Sequence, residues 1–273
     1  MRRIALVSLA LGCWLGAGLA RAQGPLQVVP NDAWCGDDGD RGGDGRERHC
    51  EVWEATWPAG NARIDADASP NGGIEVRGWD RPEVRLRAKV VAVAPTAGEA
   101  GDLADQVRID TVGEIRATGP RGTRHSPWWV SYELSVPRKA SLGLRSVNGG
   151  ISVRDVAGAV SFETTNGGVR LHEVAGRVHG RTTNGGLDIR LAGAAWAGDG
   201  LDVATTNGGV TLAIPADYNA RVETGTTNGR LEVDFPVTLQ GRIDRKHLAF
   251  ELGKGGPLVR ATTTNGGVVV KKR

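Results

Sequence analysis

Six asparagine residues occupy equivalent places in the second half of the chain, and the amide oxygens of such a set could bind a cation. Each lies in a block of Ser or Thr, any residue, Asn and Gly, followed by alternating apolar residues. The asparagines are Asn148, Asn166, Asn184, Asn207, Asn228 and Asn265. Hydrogen bonding between stacked asparagines explains the same pattern without a ligand, so we predict a structural ladder with no metal and no cofactor.

A second set of oxygen ligands lies nearer the N-terminus. Asp40, Asp44 and Glu51 stand at the first, fifth and twelfth places of a partial calcium loop. The third place is Gly42, Arg46 and Arg48 lie inside the segment, and no helices are predicted on either side. We interpret the segment as an acidic surface loop.

Tryptophans offer a third kind of chemistry, because indole rings can stack on sugar rings. The residues Trp34, Trp53, Trp57, Trp79, Trp128 and Trp129 lie ahead of the repeated blocks. Packing in a cap at the end of the repeats is the favoured interpretation for the set. Trp128 and Trp129 are adjacent and cannot both face inward on one strand, so this pair is the candidate ligand platform.

Patterns of the common enzyme classes are missing from the sequence. The five histidines, His49, His125, His172, His179 and His247, lack paired metal-ligand spacing. There is no Gly-x-Ser-x-Gly elbow and no phosphate-binding loop. Charges predicted to face outward change sign from coil to coil, which indicates a solvated surface. We predict a non-enzymatic protein, with a polysaccharide-cleaving solenoid as the enzymatic alternative.

The repeated blocks also predict the architecture that positions these residues. Successive asparagines are 18, 18, 23, 21 and 37 residues apart, and periods near 20 in strand-rich sequence are typical of solenoid coils or hairpin units. Asn-Gly is a strong hairpin signal. However, the repeated Asn, together with the Ser or Thr two places earlier, favours stacked solenoid corners with both side chains inward. Gly after Asn would allow a left-handed corner.

Three segments are predicted ahead of the coils. Residues 1–22 form a signal peptide, 23–60 a disulfide-closed segment, and 61–137 a β-rich cap that packs on the solenoid. One short helix is expected at 97–106, after a proline. The coils then occupy 138–273.

The end of the chain carries two further expectations. Residues 235–252 have the length of one additional coil that lacks the motif. Residues 268–270 are expected to form the last strand, where Lys271, Lys272 and Arg273 would discourage edge-to-edge association.

The N-terminus predicts export from the cytoplasm. Arg2 and Arg3 precede an apolar run over 4–19, and Ala22 ends a small-residue cleavage site. Lipidation of Cys13 is the weaker alternative, because the residues before it fit a lipoprotein signal poorly. The periplasm is the favoured location, with the cell surface and secretion as alternatives.

Cleavage after Ala22 would leave Cys35 and Cys50 as the remaining cysteines, and an even pair in an exported chain predicts a disulfide. It would also remove three arginines from the 34 basic residues. That leaves 31 basic against 31 acidic side chains, a balance that argues against nucleic-acid binding. No later apolar run is long enough to span a membrane.

Several of these motifs together resemble a widespread bacterial envelope family. They are the Asn-Gly-Gly copies, Trp34-Cys35 with Cys50-Glu51-Val52, and residues 71–79 and 130–137. The family is a domain of unknown function whose members are often labelled "putative adhesins", and the resemblance runs roughly from residue 34 to the end. It implies a right-handed β-solenoid outside the cytoplasm and offers no catalytic residues. We expect an adhesin-like binding or scaffold protein whose partner is an envelope protein or glycan.

Overall fold

The structure is a computed structural model that describes residues 25–36, 45–236 and 246–273 of the 273-residue chain. The predicted signal peptide, Cys13 and residues 40–44 of the partial calcium loop lie outside the described residues. The first part of the chain forms β1 (Gln27–Val29), α1 (Ala33–Gly36), β2 (Glu47–Pro58), β3 (Ile64–Asp67), β4 (Ile74–Trp79), β5 (Glu83–Ala94), α2 (Ala97–Ala104), β6 (Arg108–Asp110), β7 (Glu114–Thr118) and β8 (Trp128–Pro137).

The repeated blocks form the remaining strands. These are β9 (Leu142–Asn148), β10 (Ile151–Arg154), β11 (Ala159–Asn166), β12 (Val169–His172), β13 (Arg177–Asn184), β14 (Leu187–Arg190), β15 (Gly200–Asn207), β16 (Val210–Ile214), β17 (Ala220–Asn228), β18 (Leu231–Val233), β19 (His247–Leu252), β20 (Leu258–Asn265) and β21 (Val268–Lys272). The protein is therefore all-β with two short helices in its described part.

The strands form two mixed sheets that enclose one hydrophobic core. Sheet A has the order β1-β2-β5-β8-β4-β10-β12-β14-β16-β21-β18, and sheet B has the order β19-β17-β20-β15-β13-β11-β9-β3-β7-β6. In the repeats, each block gives one strand to sheet B and the next to sheet A. Equivalent strands pair in parallel and in register, so that Ile151, Val169 and Leu187 lie opposite one another.

Alternation of side chains explains why these strands face the core as they do. In β10, Ile151 and Val153 are buried while Arg154 is exposed, and in β12 Val169 and Leu171 are buried. Successive side chains of a strand point to opposite faces. One face of each sheet is therefore apolar and covered by the other sheet, and the opposite face is polar.

The region ahead of the repeats continues the same two sheets. β4 pairs in parallel with β10, and β3 pairs in parallel with β9. Helix α2, at the place of the helix predicted for 97–106, begins with a capping box between Thr96 and Glu99. No helix in the described part is both long and apolar enough to cross a membrane.

The last coil does not lie at the end of the stack. β20 lies between β15 and β17, and β21 lies between β16 and β18, so 268–270 is an internal strand and the edge-strand prediction is wrong. The additional coil predicted for 235–252 is also wrong, because β19 pairs antiparallel with β17 and ends sheet B. Residues 237–245 lie outside the described residues.

The two final blocks differ in the second glycine of the corner. The block that contains Asn265 has the full Gly266-Gly267 pair and can hydrogen-bond to a coil on each side. The block that contains Asn228 has Arg230 in place of the second glycine. It occupies the end of the repeat stack, where sheet A has no further strand among the described residues.

Candidate functional site

Seven asparagines form a continuous side-chain ladder along one corner of the stack. Each Nδ2 donates to Oδ1 of the asparagine on the neighbouring rung at 2.7–2.9 Å, in the order Asn71, Asn148, Asn166, Asn184, Asn207, Asn265 and Asn228. The six repeat asparagines are exposed, so the prediction that they point inward is wrong. The chain has begun to turn the corner at this position, and the amide therefore faces solvent.

The buried hydroxyl two places before each asparagine has a separate role. Thr164 Oγ1 donates to the Gly149 carbonyl of the neighbouring coil at 2.9 Å, and Thr182 Oγ1 donates to Gly167 at 2.8 Å. Equivalent bonds, at 2.7–2.8 Å, are made by Ser146, Thr205, Thr226 and Thr263. Each of these buried hydroxyls thereby has a hydrogen-bond partner in the neighbouring coil.

The glycine after each asparagine is required by close backbone approach. A Cβ on Gly167 would lie 2.0 Å from the Gly149 carbonyl oxygen, and one on Gly185 would lie 2.1 Å from that of Gly167. Neither glycine has a left-handed φ, so the left-handed corner predicted from the Asn-Gly pair is wrong. The second glycine is less constrained, since a Cβ on Gly168 would meet nothing closer than 3.6 Å.

The predicted disulfide between Cys35 and Cys50 is confirmed, and it ties α1 to β2. The same segment is held by Asp32, whose two carboxylate oxygens each lie 2.6 Å from Nη2 of Arg87. The hydrogen bond from Arg87 holds the pKa of Asp32 below its ordinary value. The ring of Trp34 lies beside Arg87 and Lys89, with their charged groups 5.3 and 5.1 Å from the ring centre.

The tryptophan pair proposed as a ligand platform is only partly accessible. Trp128 is half-buried against the core, and its Nε1 donates to the Pro120 carbonyl at 2.7 Å. Trp129 faces the other side of β8 and is half-buried as well. A further tryptophan, Trp196, was missed among the repeats. It is 4% exposed and donates to the Gly176 carbonyl at 3.0 Å.

The outer face of sheet B has a groove of about 460 Å³ in which a serine, a histidine and an aspartate share one column. Ser161 lies opposite His179, which lies opposite Asp202. Sequence analysis missed this column, although each residue precedes a ladder asparagine by the same five positions. Ser161 Oγ donates to the Leu142 carbonyl at 3.2 Å. Asp202 is bound by Arg260 through a 2.8 Å bond from Nε. In this arrangement the three side chains do not form a hydrogen-bonded catalytic relay.

A second groove, of about 690 Å³, lies on the outer face of sheet A and is basic. We define the basic groove by its ten lining residues, Arg77, Arg154, Asp155, His172, Glu173, Arg190, Ala213, Lys271, Lys272 and Arg273. Six of these side chains are cationic and two are acidic. From the sequence, the charges of this face were interpreted as a solvated surface, and the basic residues that share one column were not recognised.

Register explains how residues so far apart in sequence line the basic groove. Arg77 pairs with Arg154, which pairs with His172, and His172 pairs with Arg190 on the next strand. Ala213 and Lys271 continue the same column. Rungs about 4.8 Å apart give the column a length of about 24 Å. The arrangement can bind a ligand that carries several negative groups along its length.

Comparisons with known proteins found structural similarity only. No protein-family model and no curated protein matches the chain. A solved "putative cell adhesion protein" from Clostridium sporogenes is similar at a TM-score of 0.43 and 9% identity, over 84% of this chain and 100% of that one. A "putative adhesin" from Bacteroides fragilis is similar at a TM-score of 0.35 and 9% identity, over 81% and 97%.

Proposed function

We propose that this protein is an exported, adhesin-like binding or scaffold protein of the bacterial envelope that acts without catalysis. The observation that carries the proposal is the parallel, in-register pairing of successive strands along the stack. Seven adjacent strands of sheet A, from β4 to β18, pair in parallel. Their outward side chains form columns along a face about 29 Å long, which suits recognition of an extended partner.

We further propose that the stack is a right-handed β-solenoid. From β9 to β16, consecutive strands alternate between the two sheets, and each coil returns beside the preceding coil as a parallel neighbour. Parallel strands joined by a crossover are right-handed in nearly all proteins, because of the twist of the strands. The hand of the coils follows from that rule.

Export is supported by the Cys35–Cys50 disulfide, since disulfides form and persist outside the reducing cytoplasm. The basic and apolar start of the sequence, followed by Ala22, agrees with cleavage by a signal peptidase. We favour the periplasm, and display at the cell surface is the alternative.

Periplasmic carbohydrate binding or cleavage is the second candidate function, and the sheet B groove is the observation that favours it. Its carboxylates are engaged by arginines, with Asp65 at 2.7 Å from Arg63 and Glu163 at 3.2 Å from Arg181. A glycosidase needs two carboxyl groups that flank the scissile bond, and both of these carboxylates are paired with arginines, so the groove favours carbohydrate binding over cleavage. Release of reducing sugars from a polysaccharide would support cleavage.

The test of the proposed function is to express the full chain in a bacterium and follow its location. We expect a mature N-terminus at Gln23 by mass spectrometry and resistance to added protease until the outer membrane is permeabilised. Digestion in intact cells would place the protein at the surface instead. An uncleaved chain that stays in the cytoplasmic fraction would contradict the proposal.

A further inference from the structure

We infer that the basic groove binds an acidic polysaccharide through the carboxylate groups of its sugars. The inference rests on the binding role proposed above and names the class of ligand. It assigns recognition to Arg77, Arg154 and Arg190, with Lys271 and Lys272 at the far end. Arginine suits this ligand, because the planar guanidinium can donate two parallel hydrogen bonds to one carboxylate.

The first support is the segregation of charge. Basic and acidic side chains are equal in number over residues 23–273, yet the basic groove has six cations and only two acidic groups. A surplus confined to one groove focuses a positive potential there, although the chain as a whole is balanced. The cations are therefore concentrated where a ligand can lie.

The second support is that the cations remain available. Among the described residues, Arg77, Lys271 and Lys272 have no carboxylate within ion-pair distance. The guanidiniums of Arg154 and Arg190 lie 3.9 Å from Glu75 and 3.4 Å from Asp188, and about half of each arginine side chain is exposed. Such loose, exposed pairs contribute little energy, so a ligand carboxylate can compete for the arginines.

The third support is the form of the groove. Small Ala213 lies between Arg190 and Lys271 in the column. The Arg273 side chain reaches across this rung, where Nη1 donates to the Leu191 carbonyl at 3.0 Å and Nη2 to Glu173 at 3.2 Å, so a cation is held in place there. The column continues to Arg77 along about 24 Å. A chain of sugars can follow this line and place successive carboxylates beside successive cations.

The two acidic groups in the groove favour a polysaccharide over a nucleic acid. Asp155 and Glu173 lie beside the arginines. Asp155 is 3.7 Å from Arg138 and Glu173 accepts from Arg273 at 3.2 Å, and each carboxylate has a second oxygen that can accept a hydrogen bond from a sugar hydroxyl. A nucleic acid has a phosphate at every nucleotide and would meet repulsion at these positions. A membrane surface is also disfavoured. The large exposed hydrophobic residues of the described part are Val28, Val112 and Val147, and none lines the groove.

The experiment measures binding of the full exported protein to polygalacturonate fragments by titration calorimetry, at low and high salt. The variant of the groove is Arg154→Gln with Arg190→Gln. Its matched control is Arg177→Gln with Arg230→Gln. The control arginines are also exposed and ion-paired, with Arg177 Nε 2.8 Å from Asp199 and Arg230 3.9 Å from Glu232, and they line neither groove described above. Both doubles change the net charge equally, and thermal melting checks that both are folded.

We expect the groove double variant to weaken affinity by roughly tenfold or more and the control to remain within about twofold of wild type. Lys271→Gln with Lys272→Gln should also weaken binding, and high salt should weaken wild-type binding. Methyl-esterified polygalacturonate, which has the same sugars without their charge, should not bind measurably.

Three results would overturn the inference. Equal weakening by the groove and control variants would mean diffuse attraction with no defined site. Equal affinity for the methyl ester would mean that the carboxylates are not recognised. Tighter binding of a thymidylate oligonucleotide than of polygalacturonate would assign the groove to nucleic acid. Each result is measured on purified protein and is therefore independent of the export test above.

Discussion

Asn265 donates a hydrogen bond from Nδ2 to Oδ1 of Asn207 at 2.8 Å, across 58 positions of sequence, and Asn228 lies on the rung beyond. The last coil is thus inserted between two coils that precede it in the chain. Strand β20 bonds to β15 on one side and to β17 on the other. The block that contains Asn228 is therefore joined to the stack by a coil that follows it in the sequence.

Removal of the last coil should therefore release the coil before it. A chain that stops after Gly256 lacks β20 and β21. Residues 220–233 then lose the parallel strands that join them to the rest of the stack. We expect fast amide exchange in 220–233 by hydrogen–deuterium exchange and mass spectrometry. Exchange in 159–172, on the same molecule, should stay close to that of the full chain. Unchanged protection of 220–233 would contradict this stacking order.

The position of an asparagine in the ladder should determine what its removal costs. Asn184 donates to Asn166 and accepts from Asn207, whereas Asn228, at the end of the ladder, donates to Asn265 alone. One hydrogen bond contributes about 0.5–1.5 kcal/mol net. Asn184→Ala should therefore lower the free energy of unfolding by about 1–3 kcal/mol, and Asn228→Ala by about half as much. Urea denaturation measures both, and equal losses would mean that the amides act independently of the ladder.

Part of the fold follows from sequence because the repeats share one spacing. Equal distances from each asparagine to the flanking apolar residues predict both the core-facing positions and the side-chain ladder. The prediction that the asparagines are buried was wrong. Alternation of side chains applies within a strand and does not show where the strand ends and the corner begins. The place of the last coil was not predictable from spacing, because copies with the same corner can stack in any order.

The basic groove could be predicted from the sequence but was missed. Compared from coil to coil without regard to their position on the rung, outward charges such as Arg154, Asp155 and Asp188 change sign, which indicated a solvated surface. At the sixth position after the ladder asparagines, the chain has Arg77, Arg154, His172, Arg190, Ala213 and Lys271, and Asp234 after Asn228. Recording the charges by rung would have found the basic column, and the same procedure would have found Ser161, His179 and Asp202.

The two glycines of one corner should tolerate alanine very differently. A Cβ on Gly167 would overlap the Gly149 carbonyl, whereas a Cβ on Gly168 has ordinary contacts. We expect Gly167→Ala to lower the free energy of unfolding by about 3 kcal/mol through overpacking. Gly168→Ala should stay within about 1 kcal/mol of wild type, since it also restricts the unfolded chain. Chemical denaturation compares the two, and similar losses would contradict the close approach of the corners.

The ion pair of Asp32 with Arg87 should make the attachment of the N-terminal segment depend on pH. Asp32 is ionised in the folded protein, and its pKa lies below the ordinary value because of the bond from Arg87. A lowered pKa stabilises the fold above the ordinary value near 3.8, and that contribution is lost as the pH falls through the lowered value. Asp32→Asn should then cost about 1.5–3 kcal/mol at neutral pH.

The pH dependence separates this charge effect from a simple packing change. Urea denaturation should give the difference between wild type and Asp32→Asn in full at neutral pH, and the difference should shrink in acid as the pH falls through the lowered pKa of Asp32 and both side chains become uncharged. Asp80→Asn is the control, because Asp80 is also paired with an arginine, Arg138, but is 81% exposed and should contribute little. A loss for Asp32→Asn that is the same at neutral and acid pH would show that the carboxylate charge is not what holds residues 25–36 against β5.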